Sequence, residues 1–179
     1  MAQFLLLPRG LQRFAKYLEE GERCFWFEHL VYTLFDHSLD EAIPLLLRSS
    51  YSRDALSALL FDYYDQMTEK RWEQVIDILV ELPQRHSSFM GNGVTHRSFP
   101  PCFRVHAKRL IGARNIEVVR LGLNLYDGDW QEIDGRLKRI FDPANSAYYS
   151  LMIPKVIIPK EAAARVLNIM LSDTTASIA

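Results

Sequence analysis

Leu56, Leu59, Leu60, Tyr63 and Tyr64 recur at i, i+3, i+4, i+7 and i+8, a spacing that lays one apolar stripe along a helix and requires that face to be buried. A turn at Met67-Thr68 follows. A second stripe then runs through Trp72, Val75, Ile76 and Leu79. Thr68 is placed to cap this second helix, Glu69 lies near the positive end of its dipole, and Pro83 stops it. Two amphipathic helices joined by a tight turn cannot satisfy their own faces, so the pattern predicts a helical hairpin on which further helices pack.

The flanking pattern supplies those helices. Leu11, Phe14, Ala15 and Leu18 make a short amphipathic segment that ends at Gly21. Between positions 25 and 35, Trp26, Phe27, Leu30, Val31, Leu34 and Phe35 cover more than one face, which predicts a central helix. Ser38-Leu39-Asp40-Glu41 has the form of a capping box and opens a helix carrying Ile43, Leu46 and Leu47, with Pro44 near its first turns. Ser52 is in position to cap the Leu56 helix. Five helices with short connections within the first 82 residues predict a compact bundle.

The pattern changes after Pro83. Positions 84–101 hold Ser87-Ser88, Gly91-Asn92-Gly93 and Pro100-Pro101 with no sustained period, so this stretch reads as a long loop. Asn92-Gly93 is a hairpin signal, but its flanks lack alternating β-branched residues. Helical pattern resumes at 103–111 and again at 116–126, where Val119, Leu123 and Tyr126 align. Asp129 is placed to cap a helix striped by Ile133, Leu137, Ile140 and Phe141. A leucine-rich helix, a polar turn and then Trp130 echo the earlier order ending in Trp72, which suggests a repeated unit, although a Trp folding back from a helix start is common enough to arise by chance. Pro143, Pro154 and Pro159 divide the remainder into a helix around 144–152, an apolar connector 156–158, a helix 160–171 and a frayed end at 172–179. The expectation is an all-α chain of two packed helical subdomains, 1–82 and 103–179, joined by 83–102. Trp26, Tyr63, Trp72 and Trp130 are its expected core anchors.

Composition adds bounds. With 179 residues, 49% hydrophobic and 24% charged, the chain has the make-up of a globular protein able to bury a core. Cys24 and Cys102 are too few for a disulfide framework and no Asn-x-Ser/Thr sequon occurs, which points to the cytoplasm or the nucleus. No apolar run reaches the length of a bilayer span, so no membrane role is expected. The net charge of −1 hides an asymmetry. Residues 14–82 carry 14 Asp or Glu against 6 Lys or Arg, for −8, whereas residues 83–120 carry 7 Lys or Arg against Glu117, for +6. Two surfaces of opposite sign follow.

The chain has no phosphate-binding loop, no dinucleotide fingerprint, no H-E-x-x-H and no C-x-x-C, so no catalytic residue, cofactor or metal is assigned. Asp127, Asp129, Glu132 and Asp134 crowd together, but the glycine and final Glu of a calcium loop are missing, and helix capping accounts for them better. His86, His96, Cys102 and His106 match no structural zinc spacing. The basic run Arg97, Arg104, Lys108, Arg109, Arg114 and Arg120 carries the positive chemical argument. Arg104 and Lys108 stand one helical turn apart, and such a face suits either phosphates or an acidic protein surface. Phe99 and Phe103 alone offer aromatic interleaving, which is thin for single-strand stacking.

Residues 11–82 resemble the caspase-recruitment domains, death-fold bundles found at the N-termini of RIG-like receptors and Dicer-related RNA helicases. The likeness rests on a first helix of form LQxFxxYL, an aromatic-rich second helix, an acidic start to the third, a leucine-rich fourth and a fifth entered through Trp72. The stretch 118–141 is similar to the fourth and fifth helices of a second such domain in tandem. The loop after Leu82 departs from that plan, because a sixth helix should follow there, and helices beyond 141 have no slot in a simple second domain. The resemblance implies a non-catalytic module that recruits a protein partner, either another such domain or an RNA-pathway protein. It also implies a larger parent, an ATP-dependent RNA helicase of RNA sensing or RNA interference. RNA is a secondary partner on this reading. The competing expectations are a free-standing helical regulatory or viral protein that binds RNA through 97–120, and a helical repeat scaffold with no nucleic-acid role.

Overall fold

The computed structural model describes residues 29–83, 94–140 and, within 160–168, all but 162 and 166. The expectations for the first helix, for Trp26, for residues 84–93 and for the segments 144–152 and 156–158 fall outside those residues. The described part is helical, with no strand.

Its helices are α1 (Leu30–His37), α2 (Leu39–Leu47), α3 (Ser52–Phe61), α4 (Glu69–Glu81), α5 (Cys102–Val105), α6 (Ala107–Ile111), α7 (Ile116–Leu125) and α8 (Asp134–Ile140), with 3-10 turns at Tyr64–Gln66, His96–Ser98 and Trp130–Ile133. Helix α4 forms where the sequence places it. The Thr68 hydroxyl accepts from the Arg71 backbone N–H, and Trp72, Val75, Ile76 and Leu79 are all buried. This helix is also the hinge of the architecture, packing on α2 along one side and on α5 and α6 along another.

That arrangement changes the expected hairpin. Helix α3 ends at Phe61, before the stripe reaches Tyr63 and Tyr64, and the chain passes through the Tyr64–Gln66 turn before α4 starts. The longer connector separates the two helices, and each packs more closely on α2 than on the other. Tyr63 stays buried, its ring against Phe35 at 5.2 Å, whereas Tyr64 is half-exposed. Trp72 is buried as expected, but its ring meets Tyr64 of the turn and Phe103 of α5, each at 5.8 Å.

Capping shows two further differences. Ser38 occupies the cap position of α2 without a side-chain bond to it, so the expected box is not formed. Ser52 is the first residue of α3 rather than its cap. Ser49 acts nearby instead, accepting from the Tyr51 N–H and donating to the Leu46 carbonyl. In the stretch expected to be a loop, Val94 and Phe99 are buried and Thr95 and Ser98 close a reciprocal cap around the His96–Ser98 turn.

Beyond this point the closest helix packing among the described residues is α6 against α7. A methyl group at Gly122 would stand 2.7 Å from the Ile111 backbone nitrogen and 3.0 Å from the Ala107 carbonyl oxygen, so only glycine allows the two backbones to approach this far. Asn115, fully buried, caps α7 through its carboxamide oxygen and donates from Nδ2 to the Pro83 carbonyl at 3.0 Å. One residue thus ties the start of α7 to the end of α4. Asp129 accepts from the Gln131 N–H, but it opens the Trp130–Ile133 turn before α8 begins. Ile133 and Leu137 are buried, and Trp130 is half-buried with its ring edge-on to Tyr126 at 5.1 Å. The buried residues before Pro83 and after Val94 belong to one continuous hydrophobic cluster.

Candidate functional site

The basic run does not form one cationic face. His106 interrupts the helix expected at 103–111, with φ −96° and ψ 10°, so Arg104 belongs to α5 while Lys108 and Arg109 belong to α6. The break places Arg104 and Lys108 on different helices. Lys108 is then spent on Glu132, Arg109 on Asp77 of α4 at 2.5 Å, and Arg120 on Glu117 one turn away at 3.4 Å. The Glu132 bond, the largest cause, raises the Lys108 pKa. Arg114 is exposed. Arg97 and Arg104 are exposed and pair with no carboxylate among the described residues.

Each of those pairs also has a structural role. Arg109 joins α6 to α4, and Arg136 donates to the Lys108 carbonyl from α8. Glu117, mostly covered, has its pKa raised by burial, and Arg120 pulls it partly back. The carboxylates of the 127–134 crowd find similar uses, Glu132 on Lys108 and Asp134 bidentate on Arg165 at 2.7 and 2.8 Å. Burial raises the Cys102 thiol pKa, which disfavours a reactive thiolate. Among the described residues no group of three or more His, Cys, Asp or Glu is gathered to hold a metal ion. Again among the described residues, no helix is long and apolar enough to cross a membrane.

A second face was not singled out by the sequence pattern. Tyr32 and Asp36 stand one turn apart on α1, opposite Asp62 and Tyr63 at the end of α3. The Tyr32 hydroxyl donates to Asp62 at 2.9 Å, and the Tyr63 hydroxyl donates to Asp36 at 2.5 Å and to the Tyr32 carbonyl at 3.3 Å. The two rings lie 6.1 Å apart. Both phenols have raised pKa values, Tyr32 mainly through the Asp62 bond and Tyr63 mainly through burial. Phe61, next to Asp62 in the chain, is 54% exposed, and Tyr32 is 43% exposed, so the network presents an aromatic ring beside two carboxylates. Its only sequence signals are the i, i+4 pair Tyr32/Asp36 and an apolar residue at the end of a helix whose stripe has already closed.

Among the described residues the ion pairs lie elsewhere. Arg71 is the clearest case, holding both Asp40 oxygens, at 2.8 and 3.1 Å, and the Gln66 carbonyl at 2.7 Å. It thereby fastens the turn before α4 to the start of α2. Comparison of the chain with protein-family models, with curated proteins and with solved structures finds no match.

Proposed function

We propose that this chain is a non-catalytic protein-interaction module, the recruitment region of a cytoplasmic RNA-sensing or Dicer-related RNA helicase. The family part of this reading rests on the resemblance in residues 11–82 and on an all-α build. The choice of protein over RNA is carried by the engagement of Lys108, Arg109 and Arg120 with Glu132, Asp77 and Glu117. A phosphate-binding surface needs cations that can give up their counterions, and each cation already held by a carboxylate must first break that pair. Exposed pairs are worth only about 0–1 kcal/mol each, but losing one for every phosphate that Lys108, Arg109 or Arg120 contacts reduces the net attraction.

The test is a titration of the chain with labelled duplex RNA at about 150 mM salt, where exposed charges are screened within roughly 8 Å. No saturation up to tens of micromolar is expected. Submicromolar binding that disappears on charge reversal of Arg104, Lys108 and Arg109 would overturn the reading in favour of a free-standing RNA-binding protein. The helicase link is checked by the full transcript, whose reading frame should continue into DExH-type motifs.

A further inference from the structure

The face made by Tyr32, Asp36, Phe61 and Asp62 has unsatisfied recognition chemistry of a definite kind. Elsewhere Asp40, Asp77, Glu81, Glu117, Glu132 and Asp134 each meet an Arg or Lys. Asp36 and Asp62 meet tyrosine hydroxyls instead, and among the described residues no Lys or Arg pairs with either. An ionised carboxylate has about four acceptor positions, and one or two phenol bonds leave the others open. Those phenol bonds also hold the carboxylates in fixed orientations, so a ligand need not order them.

The electrostatics reinforce this. Asp62 is the C-cap of α3, where the carbonyl end of the helix dipole is already negative and favours cations. A carboxylate at that end is unfavourable by itself and becomes favourable when a cation sits on it. The segment that contains the face, residues 14–82, carries −8. Tyr32, which bonds Asp62, is an exposed ring whose face attracts a cation further, and Phe61, which precedes Asp62 in the chain, is exposed as well. Guanidinium is the cation that can use both features, since it stacks flat on a ring while its N–H edge donates in pairs to a carboxylate, whereas ammonium is a strongly hydrated point charge.

We propose that this face docks an arginine-bearing linear segment of a partner protein, with a guanidinium stacked on Tyr32 or Phe61 and bonded to Asp36 or Asp62. The proposal deepens the recruitment reading and rests on it.

The probe is a fluorescein-labelled decapeptide of alternating Arg and Ser, titrated with the whole chain at 50 and 150 mM salt and followed by anisotropy. Lys-Ser and Gln-Ser peptides of the same length are the comparisons. Saturable binding of the Arg peptide is expected, several-fold weaker for Lys and absent for Gln. The double variant Asp36→Asn/Asp62→Asn keeps an acceptor for each phenol and removes both charges, and it should weaken binding at least tenfold with an unchanged thermal melt. Phe61→Ser, at a half-exposed position, should weaken it several-fold. Equal binding by wild type and double variant would overturn the proposal and assign the attraction to overall charge. Concentration-dependent self-association lost in the same variants would overturn it in favour of a second copy of the chain. Failure to bind the Arg peptide, with RNA binding also absent, removes this face alone, whereas tight RNA binding removes the recruitment reading itself.

Discussion

Gly122→Ala tests the closest approach in the fold. In an ordinary helix this change stabilises by about 1 kcal/mol, because glycine has the larger backbone entropy to lose. In α7 the added methyl would lie 2.7 Å from the Ile111 nitrogen, 2.9 Å from Leu110 Cβ and 3.0 Å from the Ala107 carbonyl oxygen. Two of these three atoms are backbone, so no rotamer change relieves the overlap. Restoring van der Waals contact needs α6 and α7 to separate by roughly 0.5–1 Å, a gap that forfeits about a quarter to a half of the dispersion well for each atom pair along the seam. Overpacking of this kind typically costs about 1–3 kcal/mol, and a rigid backbone contact places this site at the upper end, so the net expectation is a loss of roughly 1–2 kcal/mol after the helix-propensity gain. For a chain of this size that lowers Tm by about 2–8 °C. Gly135→Ala is the internal control, since a methyl there meets nothing within 4 Å and should stabilise by about 0.4–1 kcal/mol. Urea denaturation of both variants checks the pair. Stabilisation by Gly122→Ala equal to that by Gly135→Ala would show that α6 and α7 do not approach as described.

Trp72→Ala removes a buried ring held between Tyr64 and Phe103 and should cost on the order of 3–5 kcal/mol, with a loss below about 1 kcal/mol in chemical denaturation refuting its place in the core. Asn115→Ala deletes the cap of α7 and strands the Pro83 carbonyl, and a loss of about 2–3 kcal/mol is expected by the same assay, whereas Asn115→Asp, which keeps the cap but cannot donate, should lose less of the capping contribution. The Asp40 carboxylate has its pKa lowered by the Arg71 bond, so its contribution to stability is present above the unfolded-state value near 3.8 and is lost as pH falls through the folded value. Wild type and Asp40→Asn should therefore differ near neutral pH and converge in acid, as read by melts at stepped pH. A gap that widens in acid would contradict the pairing.

What the hydrophobic pattern could convey was the existence of helices and their inward faces. The stripes Ile43/Leu46/Leu47, Trp72/Val75/Ile76/Leu79 and Val119/Leu123 are all buried, because a 3.6-residue period has one physical use in a chain with this much apolar surface. The pattern could not convey which faces meet. It paired the Leu56 and Trp72 helices because they are adjacent in sequence, yet the extra turn at Tyr64–Gln66 lets α2 come between them. A 3-10 turn keeps an apolar residue every third or fourth position, so the run through Tyr63 and Tyr64 reads as unbroken helix. The pattern also set 83–102 apart as a connecting stretch. Composition there is loop-like, but Val94 and Phe99 are buried in the cluster that holds Trp72, so the end of that stretch contributes to the core.

The candidate site was legible as charge and illegible as pairing. Counting signs along the sequence finds the −8 and +6 segments, but not that Arg109 of the second reaches Asp77 of the first across 32 residues, that Lys108 turns to Glu132 beyond both, or that Arg120 pairs with Glu117 within its own. Segments of opposite charge that pack together neutralise one another where they touch, so the charge available to a partner lies at their far edges. On the acidic side that edge is the end of α3, where Asp62 sits on the negative pole of a helix and Asp36 is oriented by a buried phenol. Neither residue is remarkable in a count of carboxylates. They differ from Asp40, Asp77, Glu117, Glu132 and Asp134 in meeting tyrosines where those meet an Arg or Lys, and that difference requires two helices distant in sequence to be brought side by side. On the basic side Arg97 and Arg104 are exposed, and Arg104 precedes Val105, which is 81% exposed and is the most exposed large apolar residue described. Charge set beside exposed apolar side chains suits the recruitment role proposed above, in which apolar contact would supply affinity and charge the choice of partner.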